Sequence, residues 1–233
     1  MRFVPLIPSC SSPSGWSAFR DVELRWDGHP HPDWEVAARR GLGIHALHLP
    51  HLKWGDEVLE MALEALHPRF GADFLVIPAE APSGRWATSK FLQALEALLE
   101  RTSGRGLKLA LRPTAGAVPA LISLLKEVRG EAVGFCWDEQ VGGDLELIAD
   151  RLYTAVGSEQ ADFALLQRTG YRWNMALEGD AENLVRLVAA LKIRFPAVTF
   201  PADMPASALG RPILRDDSII FGAHWQRPIK DDA

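Results

Sequence analysis

The 233-residue chain has little cysteine: Cys10 and Cys136 are all it holds. Two isolated thiols make neither a disulfide framework nor a zinc site. No apolar run approaches the roughly 20 residues that span a bilayer. The opening MRFVPLIPSC is too short and too broken by proline to form the apolar core of a secretion signal. No block of five like charges occurs, which argues against a polybasic membrane patch. A formal net charge of −5 argues against nucleic acid, whose binders carry a basic face. There is no GxGxxG turn, no Walker phosphate loop, and no Ser-His-Asp or Cys-His arrangement. The expectation is a soluble cytoplasmic protein without a membrane or nucleic-acid partner. Its oligomeric state is left open.

What the chain does have is rhythm. Short apolar runs read as strands: RFVPLI (2–7), VELRW (22–26), IHALHL (44–49), DFLVIP (73–78), LKLALR (107–112), AVGFCWD (132–138), DFALLQR (162–168) and AVTFPA (197–202). Between most of them lie segments of helical spacing at 32–41, 56–67, 88–102, 118–130, 144–157 and 180–195. Strands alternating with helices imply parallel pairing through right-handed crossovers. Eight such units predict an α/β fold, a single small (β/α)8 TIM barrel over 1–205. A doubly wound open sheet is the alternative, though it usually uses fewer strands. The first connection, 8–21, is rich in Ser and Pro and lacks helical spacing. Residues 206–233 predict a non-helical tail, packed back on the barrel through SIIFGAHW (218–225).

Four stretches, VELRWDG, GLGIHALHLPHL, LALRPTAG and VGFCWDEQ, carry a family likeness. Over roughly 1–205 the chain resembles the sugar phosphate isomerase/epimerase superfamily, the xylose isomerase-like or AP endonuclease 2-like barrels. The resemblance implies a divalent metal at the C-terminal mouth, held by carboxylates and histidines, that polarises a sugar carbonyl. Residue by residue the pattern departs. Arg112 stands at the strand-five glutamate, Val141 at the histidine after strand six, and Ile77 at the strand-four histidine. The strand-seven histidine falls in ALLQR, which has none. The strand-eight glutamate falls in TFPAD, where Asp203 is the nearest carboxylate. Asp138 alone is kept. A guanidinium cannot be deprotonated and repels a cation. No metal ligands are therefore assigned, and no cofactor is expected.

The candidate catalytic residues are Glu23, His48 and Asp138. The candidate ligand-binding residues are Arg112, Gln167, Arg168, Glu80 and Trp137. Arg112 and Asp138 end adjacent strands, so they either grip an anion together or form a structural ion pair in place of a metal. Arg168, closing strand seven beside Gln167, would complete a two-arginine anion pocket. His48 near the end of strand three is a candidate acid or base. His45 and His48 have opposite parity, so only one of them is expected inside the barrel. Glu23 is either a pocket carboxylate or part of a buried salt-bridged layer. Glu80 lies on the loop after strand four, and Trp137 serves as an aromatic platform or as core packing.

Three functional readings follow. The first is a sugar phosphate isomerase or epimerase-like protein acting on a small anionic carbohydrate-type metabolite without the family's metal. The second is a catalytically inactive barrel that binds a metabolite or serves as a partner subunit. The third is a metal-dependent isomerase or endonuclease with ligands at unrecognised positions.

Overall fold

The computed structural model describes residues 1–67, 70–126, 128, 132–139, 145–171 and 174–195. Eight parallel strands close into a barrel in sequence order. They are β1 Arg2–Pro8, β2 Asp21–Arg25, β3 Gly43–His48, β4 Phe74–Ala79, β5 Lys108–Pro113, β6 Val133–Asp138, β7 Leu152–Gly157 and β8 Asn174–Leu177. β8 pairs with β1 from Arg2↔Asn174 to Pro5↔Leu177, which closes the ring. The outer layer is α1 Asp33–Arg39, α2 Asp56–Leu66, α3 Gly84–Ser103, α4 Val118–Leu125, α5 Leu145–Ile148, α6 Phe163–Arg168 and α7 Ala181–Arg194. The first connection forms only a short 3-10 turn, Pro13–Trp16, as its lack of helical spacing implied.

Strand alternation sorts the apolar residues into two bodies. One face of each strand joins the helices in a large cluster that includes Ile7, Leu24, Leu47, Leu75, Leu109, Phe135, Trp137 and Leu177. The other face fills the barrel with Val4, Leu6, Ala46, Phe74, Val76, Ala110, Cys136, Tyr153, Val156 and Ala176.

The last third of the barrel departs from the expected register. Residues 144–157, read as one helix, split into α5, a 3-10 turn at Ala149–Arg151, and β7. Residues 162–168, read as strand seven, are α6. Asp162 caps that helix, its Oδ1 accepting from the Leu165 amide at 2.8 Å. The eighth strand is NMAL at 174–177, and the expected strand at 197–202 lies outside the described residues, as does the tail 206–233. Val141 and Asp203 also lie outside them.

Two irregularities shape the interior. Phe135 pairs with Leu152 and Cys136 with Thr154, so β7 carries an extra residue, a bulge at Tyr153. Tyr153 thereby joins the inner cluster, while its neighbour Thr154 also reaches the interior carboxylate of Glu23. Gly134 makes room for this. A Cβ there would meet the Arg151 carbonyl and come within 2.6 Å of the Tyr153 ring. A second register shift separates β2 from β3 between Val22 and Leu24. It breaks the strict alternation on which the parity argument for His45 and His48 depended.

Candidate active site

Glu23, on β2, is fully buried at 0% exposure. A carboxylate without water needs partners on its lone pairs. His48, the last residue of β3, supplies Nε2 at 2.6 Å, and Thr154 of β7 donates its hydroxyl at 3.2 Å. The β7 bulge belongs to the same arrangement. His48 is itself buried at 2%, and its Nδ1 has no hydrogen-bond partner among the described residues. Such an orphaned buried nitrogen is uncommon. Cys136 lies close enough to feel the Glu23 and Arg112 charges, but burial pushes its thiol well up, so it is no nucleophile.

Above this layer the strand ends carry charge. Arg112 of β5 donates through Nε to Asp138 Oδ2 at 2.7 Å, and its Nη2 lies 2.5 Å from the same oxygen. Burial works against the charge on Arg112. Cys136, Asp138 and Glu178 outweigh it and raise the guanidinium's pKa. Arg25, the last residue of β2, donates to Glu178 Oε1 at 2.6 Å. Glu178 directly follows β8. The mouth is thus an interleaved set of two arginines and two carboxylates over a buried Glu–His pair.

Glu178 corrects the sequence reading. The closed barrel sets strand eight at Asn174–Leu177, earlier than 197–202, so the carboxylate that follows it is Glu178 and not one in TFPAD. Arg25 is absent from the candidates read from the sequence; the signals available were its shared strand parity with Glu23 and its place at the end of β2.

The other candidates scatter. Gln167 and Arg168 lie on α6 and not at a strand end. Arg168 is 69% exposed, with its guanidinium 4.0 Å from Asp162. It cannot join Arg112 in a pocket inside the mouth, because α6 belongs to the outer layer. Trp137, one residue before Asp138, points to the opposite face and is buried in the barrel–helix core at 4% exposure. It packs and is no ligand platform. Glu80 follows β4, stays exposed, and meets His51 Nε2 at 3.1 Å.

The implied divalent metal can be tested on this donor set. Asp138 and Glu178 occupy suitable strand-end positions, but each is engaged by an arginine. Among the described residues no group of three His, Cys, Asp or Glu side chains is placed to hold a metal ion. A divalent cation at the mouth would face two guanidiniums. The described residues do not fit it.

No family model matches the sequence. No curated protein matches it either. Solved structures do. A xylose isomerase domain protein from Planctomyces limnophilus aligns with a TM-score of 0.58 at 13% identity, covering 83% of this chain and 94% of that one. The 3-keto-D-glucoside 4-epimerase YcjR of E. coli aligns at 0.62 with 14% identity, covering 83% and 99%. The TTHB071 protein of Thermus thermophilus, from a crystal soaked in zinc chloride, aligns at 0.65 with 18% identity, covering 83% and 99%. No helix among the described residues is long and apolar enough to cross a membrane. At these identities the likeness is one of fold, and the chain has the TIM-barrel fold of the xylose isomerase-like proteins, among them sugar isomerases and epimerases.

Proposed function

We propose that this barrel is a sugar isomerase or epimerase-type enzyme for a small anionic carbohydrate, and that it works without a resident divalent metal. The orphaned Nδ1 of His48 carries the reading. With Glu23 ionised and holding Nε2–H, the neutral imidazole keeps its lone pair on Nδ1. That is the form needed to take a proton from a carbon next to a sugar carbonyl. Glu23 then stabilises the imidazolium, much as the acid does in a nucleophilic triad. Returning the proton to the other face of that carbon epimerises the sugar. Returning it to the neighbouring carbon, with a proton shift between oxygens, isomerises it. Arg112 and Arg25 supply the positive charge that holds an anionic group or a developing enolate oxygen. Gln167, Arg168 and Trp137 drop out of the site, and Asp138 becomes the residue that positions Arg112.

A second reading has its own support. Every strand-end charge named above is already paired within the protein, and His48 and Glu23 are sealed from water. This favours a barrel that binds a metabolite and does no chemistry. Deuterium exchange separates the two. In D2O, NMR would follow label entering a panel of aldose and ketose phosphates and sugar acids, with chelator present. The enzyme reading expects label at the carbon beside the carbonyl, and a loss of about 100-fold or more in His48→Gln. No label in any substrate, combined with thermal stabilisation by a sugar phosphate that Arg112→Ala abolishes, selects the binding reading. Label that appears only when a divalent ion is restored overturns the metal-free proposal.

A further inference from the structure

Beside the mouth lies a groove that the reaction above does not use. It runs between the loop after β3 (49–55) and the loop after β4 (80–83), and it opens onto the first turns of α2 and α3. Its cavity of about 500 Å³ is within the range of small-molecule sites. The floor is rigid: Trp54 donates its indole N–H to the Pro78 carbonyl at 3.0 Å and packs on Phe91 with ring centroids 4.1 Å apart. The wall is Trp86, on the first turn of α3, which is 75% exposed. An indole exposed on the wall of a cavity offers an apolar face on which a ring can pack, with a polar N–H at its edge. Lys90 Nζ sits over the Trp86 ring, 5.4 Å from its centroid.

The charges narrow the occupant. Lys53 and Lys90 are offset by Glu80, Asp56 and Glu57, all lining the groove. Neither a strongly anionic nor a strongly cationic group is favoured. What fits is a neutral ring with an apolar C–H face for the indole and hydroxyls at its edge. Those hydroxyls would donate to Glu80 and accept from the lysines. We propose that the groove is a subsite for a neutral sugar ring, and that the ligand of the barrel mouth is therefore a glycoside or disaccharide, not a lone monosaccharide. This rests on the reading of the mouth as a carbohydrate site. It adds a second ring, held on the rim by Trp86 and Glu80.

The test reads the two places separately. Indole N–H signals of 15N-labelled protein are recorded, with Trp86 assigned by its loss in Trp86→Phe. Arg112 Nε–H is assigned likewise from Arg112→Lys. The probes are maltose, cellobiose and lactose, their component monosaccharides, and glucose 6-phosphate. The proposal expects a disaccharide to shift the Trp86 and Trp54 signals at lower concentration than its monosaccharides do. It also expects Trp86→Ala and Glu80→Gln each to weaken that response, read at Trp54, about tenfold. Trp86 is exposed enough for its removal to leave the fold intact, and Glu80→Gln is the independent check. If no sugar moves Trp86 while glucose 6-phosphate moves Arg112, the subsite is wrong and the mouth reading stands. If a disaccharide moves Trp86 but nothing moves Arg112, the ring site stands and its link to the mouth is overturned.

Discussion

His45 lies toward the start of β3, away from the mouth, and makes a sharp prediction about stability. Its Nε2 is 3.1 Å from Asp21 Oδ1 and its Nδ1 is 3.3 Å from Asp73 Oδ2. Burial alone would lower its pKa, but the two aspartates reverse that and raise it to about 9. Set against an unfolded value of about 6.5, the shift corresponds to about 3 kcal/mol. The aspartate side chains are 32% and 26% exposed, so solvent screening brings this to about 2 kcal/mol. The sign follows from the proton count. The folded state binds the proton more tightly, so the contribution is complete below about pH 6.5 and is lost as pH rises through about 9. Urea denaturation at about pH 6 and about pH 9.5, on the natural chain and on His45→Gln, isolates it. The natural chain should lose about 2 kcal/mol more than the variant between the two conditions. Equal losses within about 0.5 kcal/mol would refute the two-aspartate account of His45.

Three further outcomes are expected. Arg112→Ala removes the guanidinium that balances Asp138, whose side chain is only 9% exposed, and should cost about 2–3 kcal/mol. Arg112→Ala combined with Asp138→Ala should recover much of that in a double-mutant cycle of denaturation midpoints. Trp137→Ala should cost about 3–5 kcal/mol in the same assay while leaving thermal stabilisation by a sugar phosphate unchanged, because the side chain faces the helices. Arg168→Ala should change stability by less than about 0.5 kcal/mol and leave that ligand response intact, as befits a surface residue on α6.

The first six strands were legible because each is a single apolar run bounded by a turn or a helix of clear period. The end of the barrel was not, for local reasons. In 145–157 a short amphipathic turn runs straight into LYTAVG, and the apolar spacing of the two merges into one apparent helix. The aromatic and β-branched residues Tyr153, Thr154 and Val156 were the signal for a strand. In 162–168 the apolar run is too short for its period to tell helix from strand. The Asp162 cap was the available signal. The four-residue β8 scarcely registers as a run at all. That slippage hid Glu178 and lent Arg168 a place it does not occupy. The Arg112–Asp138 juxtaposition, by contrast, needed only two adjacent strand ends, and both were placed within a residue. The Glu23–His48–Thr154 contact joins three strands, one through a bulge, and such a bulge leaves no period to read.

The interleaved charges of the mouth also set the currency of binding. A pocket of bare cations draws anions from a distance and releases its own counterions, so its grip fades steeply with salt. Here Arg112 and Arg25 already hold Asp138 and Glu178. An incoming anionic group therefore meets guanidiniums whose charge is already balanced, and it takes the N–H donors that Asp138 and Glu178 leave over. Long-range attraction is weak at such a balanced mouth. What selects the ligand is whether its oxygens fit those remaining donors. Recognition of this kind is governed by shape more than by charge, and it should hold nearly constant across ionic strengths that would empty an open cationic pocket.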